Sequence, residues 1–336
     1  MSRTHLTLLV EDLAALAAAA PAAGAPVLER CLARGRPIGR DVANADALRL
    51  ALFGADAAAP VPVGALTAVA DGLAQRGDER YWLRVEPVTL TADMTRVFMT
   101  AHGLADVEQA DRAALRACVA DALAEAGHAL QHGPSDHWLL APDTPPPVTF
   151  MPLEEALGRD MADTLPGAVA ARAWRRLLTD LQVALHNADV NRRRRERGLR
   201  EVNGVWLWGG GCLPPARPPG GFEIVISDHP VSRGLAVLAD SPARSATADA
   251  VEAAVRQGGA ILVDWRLGRA GGDAELGRLE ALLTPLSRDV ARGRLDIDLF
   301  DGRGAGWRLD RAALRRIWRR ARPLREHFDA GPGART

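Results

Sequence analysis

Residues 202–211 read VNGVWLWGGG, an apolar run of β-branched and aromatic residues that closes on three glycines. The run predicts a buried strand of an α/β domain. Just upstream, Trp174, Leu177, Leu178, Leu181 and Leu185 recur at helical spacing, which predicts one long helix over 168–197 that stops at Gly198. Downstream, Phe222–Ser227, Ala260–Trp265 and Leu295–Phe300 read as further strands, with helices over Thr247–Arg256 and Asp273–Arg292 between them. Strands alternating with helices predict a mostly parallel sheet covered on both faces. Ligands of such sheets bind beyond the carboxyl ends of the strands, which puts Gly209, Gly210 and Gly211 at the expected crevice. Pro214 and Pro215 follow where a dinucleotide-binding fold would begin its helix, so that fold is excluded. The plainer alternative is that the glycines make a tight turn beside Trp206 and Trp208.

Toward the N-terminus, His5–Val10 reads as a strand, followed by helices from Glu11, over Ala25–Arg34, over Ala43–Phe53 and over Val63–Gln75. Tyr81–Leu90 reads as extended, with Pro87 calling for a bulge or an edge position. Helices are expected over Thr91–Thr100 and Gln109–Ala126, then a strand over His137–Leu140 and a linker in the proline cluster APDTPPP at 141–147. A last amphipathic helix over Asp310–Arg320 would set Leu314, Ile317 and Trp318 on the core against Arg311, Arg315, Arg316, Arg319 and Arg320, ahead of a frayed tail.

With 336 residues and 48% hydrophobic content, the chain can bury a large core. The 42 basic and 42 acidic residues cancel, so no global field steers it toward nucleic acid or anionic lipid. Every basic residue is arginine, which excludes P-loop, Schiff-base and general-base lysines. Cys31, Cys118 and Cys212 are too scattered for a disulfide framework. Glu11 and Asp12 interrupt what would otherwise pass for a signal-peptide core, and no uncharged run reaches the roughly 20 residues of a membrane span. The expected setting is cytoplasmic, with no membrane association.

The segment DVNRRRRERGLREVNGVWLWGGG, 189–211, resembles the motif of the archaeal-type cofactor-independent phosphoglycerate mutases of the alkaline phosphatase superfamily. Those proteins carry V-N-x-x-R at a helix end and N-x-x-W-L-W-G-x-G on a strand. Val190, Asn191, Arg194, Gly198, Asn203, Trp206, Leu207, Trp208, Gly209 and Gly211 match. The triple glycine is most similar to a proteobacterial offshoot, the RpfE-type regulatory proteins. APVLERCLARG at 25–35 and YWLRVEP at 81–87 extend the likeness. The resemblance implies an alkaline-phosphatase-like core over 1–85 and 166–325, an inserted smaller domain over 86–165 and a flexible tail over 326–336. Asn191, Arg194, Asn203 and Trp208 would line the same crevice as the three glycines.

The family's mutases use two divalent metals and a serine that is transiently phosphorylated. Their early D-G-x-x-D is absent here, since the first strand runs into LVEDLAAL and leaves Glu11 or Asp12 as a substitute. RDVANADALRLALFG at 40–54 corresponds to the nucleophile segment, with Ala45 at the serine position and Asp46 retained; no serine or threonine lies between Ile38 and Gly54. The late H-x-x-x-x-D-x-x-x-H is replaced by RLGRAGGDAELGRLE at 266–280, with no histidine between His229 and His327. Asp46, Asp264 and Asp301 remain as candidate metal ligands, and a single ion held by Asp264, Asp296 and Asp301 is a further option. His229 is expected on a surface turn, and Asp296 and Asp298 on a solvated strand face.

Three function classes follow. The first is a phosphoglycerate mutase-like pseudoenzyme that has lost metal-dependent phosphoryl transfer and serves a regulatory or interaction role, with a protein partner or a small phosphorylated or carboxylated ligand. The second is an active mutase or phosphohydrolase with a rebuilt manganese or zinc site. The third is an arginine-rich nucleic-acid-binding regulator, against which neutral charge and the lack of a helix-turn-helix signal both count.

Overall fold

A computed structural model describes residues 3–19, 24–56, 60–165, 167, 169–214, 218, 220–266 and 272–328. Pro215, the stretch 267–271 and the tail from 329, all touched by the sequence reading, lie outside the described residues. The chain divides into two compact units, one of Met1–Ala59 with Arg217–Thr336 and one of Pro60–Ala216.

The first unit is built on a seven-stranded sheet in the order Arg36–Pro37, Gly306–Leu309, Leu295–Phe300, Thr4–Val10, Ala260–Trp265, Ile224–Ser227 and Ala243–Arg244. The last five run parallel, and Gly306–Leu309 and Arg36–Pro37 add an antiparallel edge. The sheet interior is legible in the sequence because strands buried on both faces are apolar throughout rather than alternating. One face carries Leu6, Leu8, Val263, Ile297 and Leu299 against the helices Pro26–Arg34, Ala248–Gln257 and Gly272–Arg292. On the other, Leu9 and Phe300 pack against Leu48 of the helix Ala45–Leu52. A helix over Pro230–Leu238, not anticipated, follows the strand Ile224–Ser227.

The second unit holds a five-stranded antiparallel sheet. Trp82–Asp93 is its centre, flanked by Arg96–His102, Trp138–Leu140 and Gly204–Gly211, with Leu130–His132 beyond. The glycine-ended strand therefore belongs to this antiparallel sheet and not to the parallel one. An antiparallel strand buried on both faces, even at a sheet edge as here, reads as the same unbroken apolar run, so the two cannot be told apart by pattern. Its pairing with Trp82–Val88 also moves the unit boundaries to 60 and 216, outside the expected 86 and 165. Pro87 sits where Trp138–Leu140 has ended its pairing at Arg84 and Arg96–His102 begins at Val88, so its missing N–H interrupts no ladder on that side.

Three expected helices change. Residues 91–100 continue a β-hairpin that turns at Met94, whose φ is 50°. The long helix breaks at Ala188, in extended conformation, into Arg172–Asn187 and Asp189–Glu196. The last helix covers only Arg311–Leu314, because extending it would stack Arg311 on Arg315 and Arg315 on Arg319 at like-charged i, i+4 positions.

Of the two strand carboxylates, Asp298 is buried and not on a solvated face, while Asp296 is half-buried. Asp296 pairs with Arg3 at 3.2 Å, and Asp298 accepts from Arg308 Nε at 2.7 Å and Nη2 at 2.6 Å, beside His5 at 3.2 Å. Burial alone would raise the Asp298 pKa, but Arg308 and His5 outweigh it and hold the carboxyl at about 2. A carboxylate depressed in the folded state adds stability above its unfolded pKa and loses it as pH falls through the folded one. Asp298→Asn is expected to cost about 2 kcal/mol at neutral pH. In urea unfolding followed against pH, the gap from the parent protein should close between pH about 4 and about 2.

Candidate functional site

The carboxyl ends of the parallel strands in the first unit converge on Arg49. Glu11 follows the strand Thr4–Val10, Asp264 is the penultimate residue of Ala260–Trp265, and Ser227 ends Ile224–Ser227. Asn44 caps the helix Ala45–Leu52, accepting from the Ala47 N–H at 2.9 Å, and this places Asp46 in the first turn and Arg49 one turn later. Arg49 is 1% exposed, yet lies among three carboxylates. Its Nε donates to Asp264 Oδ2 at 2.9 Å and its Nη2 to Asp264 Oδ1 at 3.1 Å, a two-pronged fork. Nη1 donates to Asp46 Oδ1 at 2.9 Å and Nη2 also to Glu11 Oε2 at 2.6 Å.

Asp264 is wholly buried and accepts in addition from Ser227 Oγ at 3.2 Å and Ser232 Oγ at 2.6 Å. Burial pushes its pKa up, but the Arg49 charge, His229 and these bonds prevail and hold it well below the ordinary carboxylate range. Burial likewise works against the Arg49 charge, and the three carboxylates more than restore it. His229 is at this site, not on a surface turn. Its Nδ1 accepts from the Val231 N–H at 3.3 Å, capping the helix Pro230–Leu238, so its Nε2 carries the proton toward Asp46 Oδ1, 3.9 Å away.

Of the candidate metal ligands, Asp46 and Asp264 come together on one guanidinium. Asp301, also buried, turns Oδ1 to the Arg303 N–H at 2.8 Å. Asp296 cannot join Asp264 on one ion. It is level with His5, whereas Asp264 is level with Leu9, four residues or about 13 Å along the sheet. Among the described residues no group of three or more His, Cys, Asp or Glu is arranged for a metal ion. The donor set does not fit the resemblance's two metals, because the oxygens they would need already bind a fixed cation. Ala45 offers a methyl at the position of the nucleophile, and the Ser227 and Ser232 hydroxyls point to Asp264.

The residues expected to line a crevice in the second unit have structural partners. Asn191 Nδ2 donates to Leu185 O at 2.8 Å and Val202 O at 2.9 Å, and its Oδ1 accepts from Val202 N at 3.1 Å. It shares the Leu185 carbonyl with the Ala188 N–H at the helix break. Arg194 spans Asp111 and the Arg200 carbonyl, at 2.9 and 2.8 Å. Asn203 pairs with both backbone groups of Leu90, at 2.7 and 2.9 Å. Trp208 is buried beneath Arg84, whose guanidinium carbon is 5.9 Å from its ring centre. The glycines admit close packing: a Cβ on Gly209, Gly210 or Gly211 would fall 2.7 Å from Val63, 2.1 Å from the Tyr81 hydroxyl and 2.7 Å from Pro62. The carboxyl edge of a parallel sheet, the reason for expecting a crevice there, is found in the first unit instead.

Arg49 lies within the segment 40–54 that corresponds to the nucleophile region, yet no motif marks it. Its signal is a lone arginine among Ala47, Leu48, Leu50 and Phe53, one turn from an aspartate on a helix that must cover a sheet.

No family model matches the chain, and no curated protein does. Among solved structures, the PH0037 protein from Pyrococcus horikoshii aligns over 92% of this chain and 87% of its own, with a TM-score of 0.53 and 15% identity. A cofactor-independent phosphoglycerate mutase from Thermoplasma acidophilum aligns over 92% and 90%, with a TM-score of 0.44 and 14% identity, too low to carry any inference. The PH0037 likeness supports the mixed α/β fold with its mostly parallel central sheet. No described helix is long and apolar enough to cross a membrane.

Two substitutions separate these centres. Arg49→Met keeps the bulk but leaves Asp264 buried beside two further carboxylates, and should cost about 3–5 kcal/mol in chemical denaturation. Asn191→Ala strands the N–H and carbonyl of Val202 and removes one of two bonds to the Leu185 carbonyl, and should cost about 2–3 kcal/mol.

Proposed function

We propose that the chain is a phosphoglycerate mutase-like protein of the alkaline phosphatase superfamily, of the RpfE-type bacterial offshoot, that has lost metal-dependent phosphoryl transfer and acts through interaction with a regulatory partner. Residues 60–216 are then the inserted domain of an alkaline-phosphatase-like core. The motif at 189–211 supports the family assignment. The loss of chemistry rests on one observation: the Arg49 guanidinium holds Glu11, Asp46 and Asp264 at the carboxyl edge of the sheet. Phosphoryl transfer needs a nucleophile and positive charge aimed at the phosphoryl oxygens. Here the positive charge is spent on three protein carboxylates. A divalent ion entering the cluster would have to displace a guanidinium that cannot deprotonate.

Metal analysis of the purified protein, with mutase and phosphatase assays supplemented with manganese, cobalt or zinc, tests this reading. Neither stoichiometric metal nor turnover is expected. Bound metal together with turnover that vanishes in Asp264→Ala or Asp301→Ala would establish a rebuilt enzyme in its place.

A further inference from the structure

The arginine-rich segments divide sharply by their partners. In the run at 192–195, Arg192 pairs with Asp189, Arg194 with Asp111 and Arg195 with Glu201. Nearby Arg197 and Arg200 pair with Glu108 and Asp106. Three of the run's four arginines are thus paired, and Arg193 alone has no described acidic partner. From Arg311 to Arg325 the chain carries seven arginines and no acidic residue. Six of them, Arg311, Arg315, Arg319, Arg320, Arg322 and Arg325, are exposed. None of the seven forms an ion pair with a described carboxylate.

At the centre of this stretch Ile317 and Trp318 are each 74% exposed, because the helix expected to bury them ends at Leu314. Beyond it the backbone is irregular until Leu324, so the segment presents its side chains from a loop. No described aromatic ring stacks on the Trp318 indole and no described arginine covers it. On a chain with zero net charge, an uncompensated cationic stretch is a local field confined to one surface.

We propose that residues 311–325 form a binding surface for single-stranded nucleic acid, with Trp318 stacking on a base and the flanking arginines meeting phosphates. Guanidinium groups match phosphate oxygens two at a time, and an indole face stacks on any base. The apolar pair bracketed by Arg315, Arg316, Arg319 and Arg320 gives both chemistries within one short loop. Duplex grooves are read by a long helix or a ribbon, whereas this segment has a single helical turn, Arg311–Leu314, and is irregular beyond it. The surface lies apart from the Arg49 cluster and needs no chemistry there, so it stands whether or not that site is silent.

The test is fluorescence anisotropy of a labelled oligouridylate of about twelve nucleotides titrated with the full-length protein. Contacts to three to six phosphates should weaken binding about 20- to 300-fold between roughly 50 and 200 mM salt. Trp318→Ala should weaken it about tenfold. Arg319→Glu with Arg320→Glu should weaken it further and flatten the salt dependence by about 1.4 in log–log slope. Both variants change exposed side chains, and unaltered thermal melting would show that they fold. The proposal is overturned by an absence of salt-dependent binding, by binding that both variants retain, or by equal affinity for a duplex of the same length. Binding to phosphatidylserine vesicles with the oligonucleotide ignored would overturn it in favour of a lipid surface.

Discussion

One guanidinium sets the character of the parallel-sheet unit. Taking Arg49 and Asp264 out of water is expensive, and their mutual attraction repays that cost only with near-ideal geometry and with the remaining lone pairs satisfied. Both conditions are met: the fork is two-pronged, and Ser227 and Ser232 donate to the Asp264 oxygen that Arg49 Nε also reaches. The strands Thr4–Val10, Ala260–Trp265 and Ile224–Ser227 and the helices Ala45–Leu52 and Pro230–Leu238 thereby meet at one point. A metal ion would offer similar cohesion but would exchange with solvent and remain open to substrate. A tethered cation gives the cohesion without the open coordination position that catalysis uses.

The second unit solves a different problem. Its long central strand needs partners along both edges, and Gly204–Gly211 fills one of them only by passing very close to Pro62, Val63 and Tyr81. Side chains on the three glycines would collide there, so the same triplet that suggests a ligand turn is fully accounted for by packing. Asn191 then ties the strand's approach to the helix break at Ala188. A motif can be highly specific as a family signature and still be structural in content. Here its polar members, Asn191, Arg194 and Asn203, all bind backbone groups.

Much of the fold was legible because burial dictates composition. Ala260–Trp265 and Leu295–Phe300 are where the apolar runs place them, and the helices Pro26–Arg34 and Gln109–Glu125 follow their periodicity. The partner of a strand was not legible: Val202–Trp208 and Ala260–Trp265 look alike, yet pair antiparallel and parallel. At the site, the missing serine and histidines could be read directly, since an absent residue is absent in any fold. What replaced them could not. Arg49 becomes a site residue only when the helix carrying it lies against the strand carrying Asp264, 215 positions away.

The same limit explains why the last arginine-rich segment has the sequence pattern of a cap on the core. Amphipathic spacing is a statement about a helix that forms, and stacked like charges oppose this one beyond Leu314. Where the helix stops, Ile317 and Trp318 lose the face that would have buried them. Net charge misleads in a parallel way. The 42 cationic and 42 acidic residues cancel over the chain, but local pairing decides what a partner meets. Arg49, Arg194, Arg195 and Arg308 each meet a carboxylate, whereas the stretch from Arg311 to Arg325 contains no acid and pairs with none described. A neutral protein whose charges are unevenly paired can therefore carry one strongly cationic surface, and its screening length of roughly 8 Å at physiological salt keeps that surface's reach short.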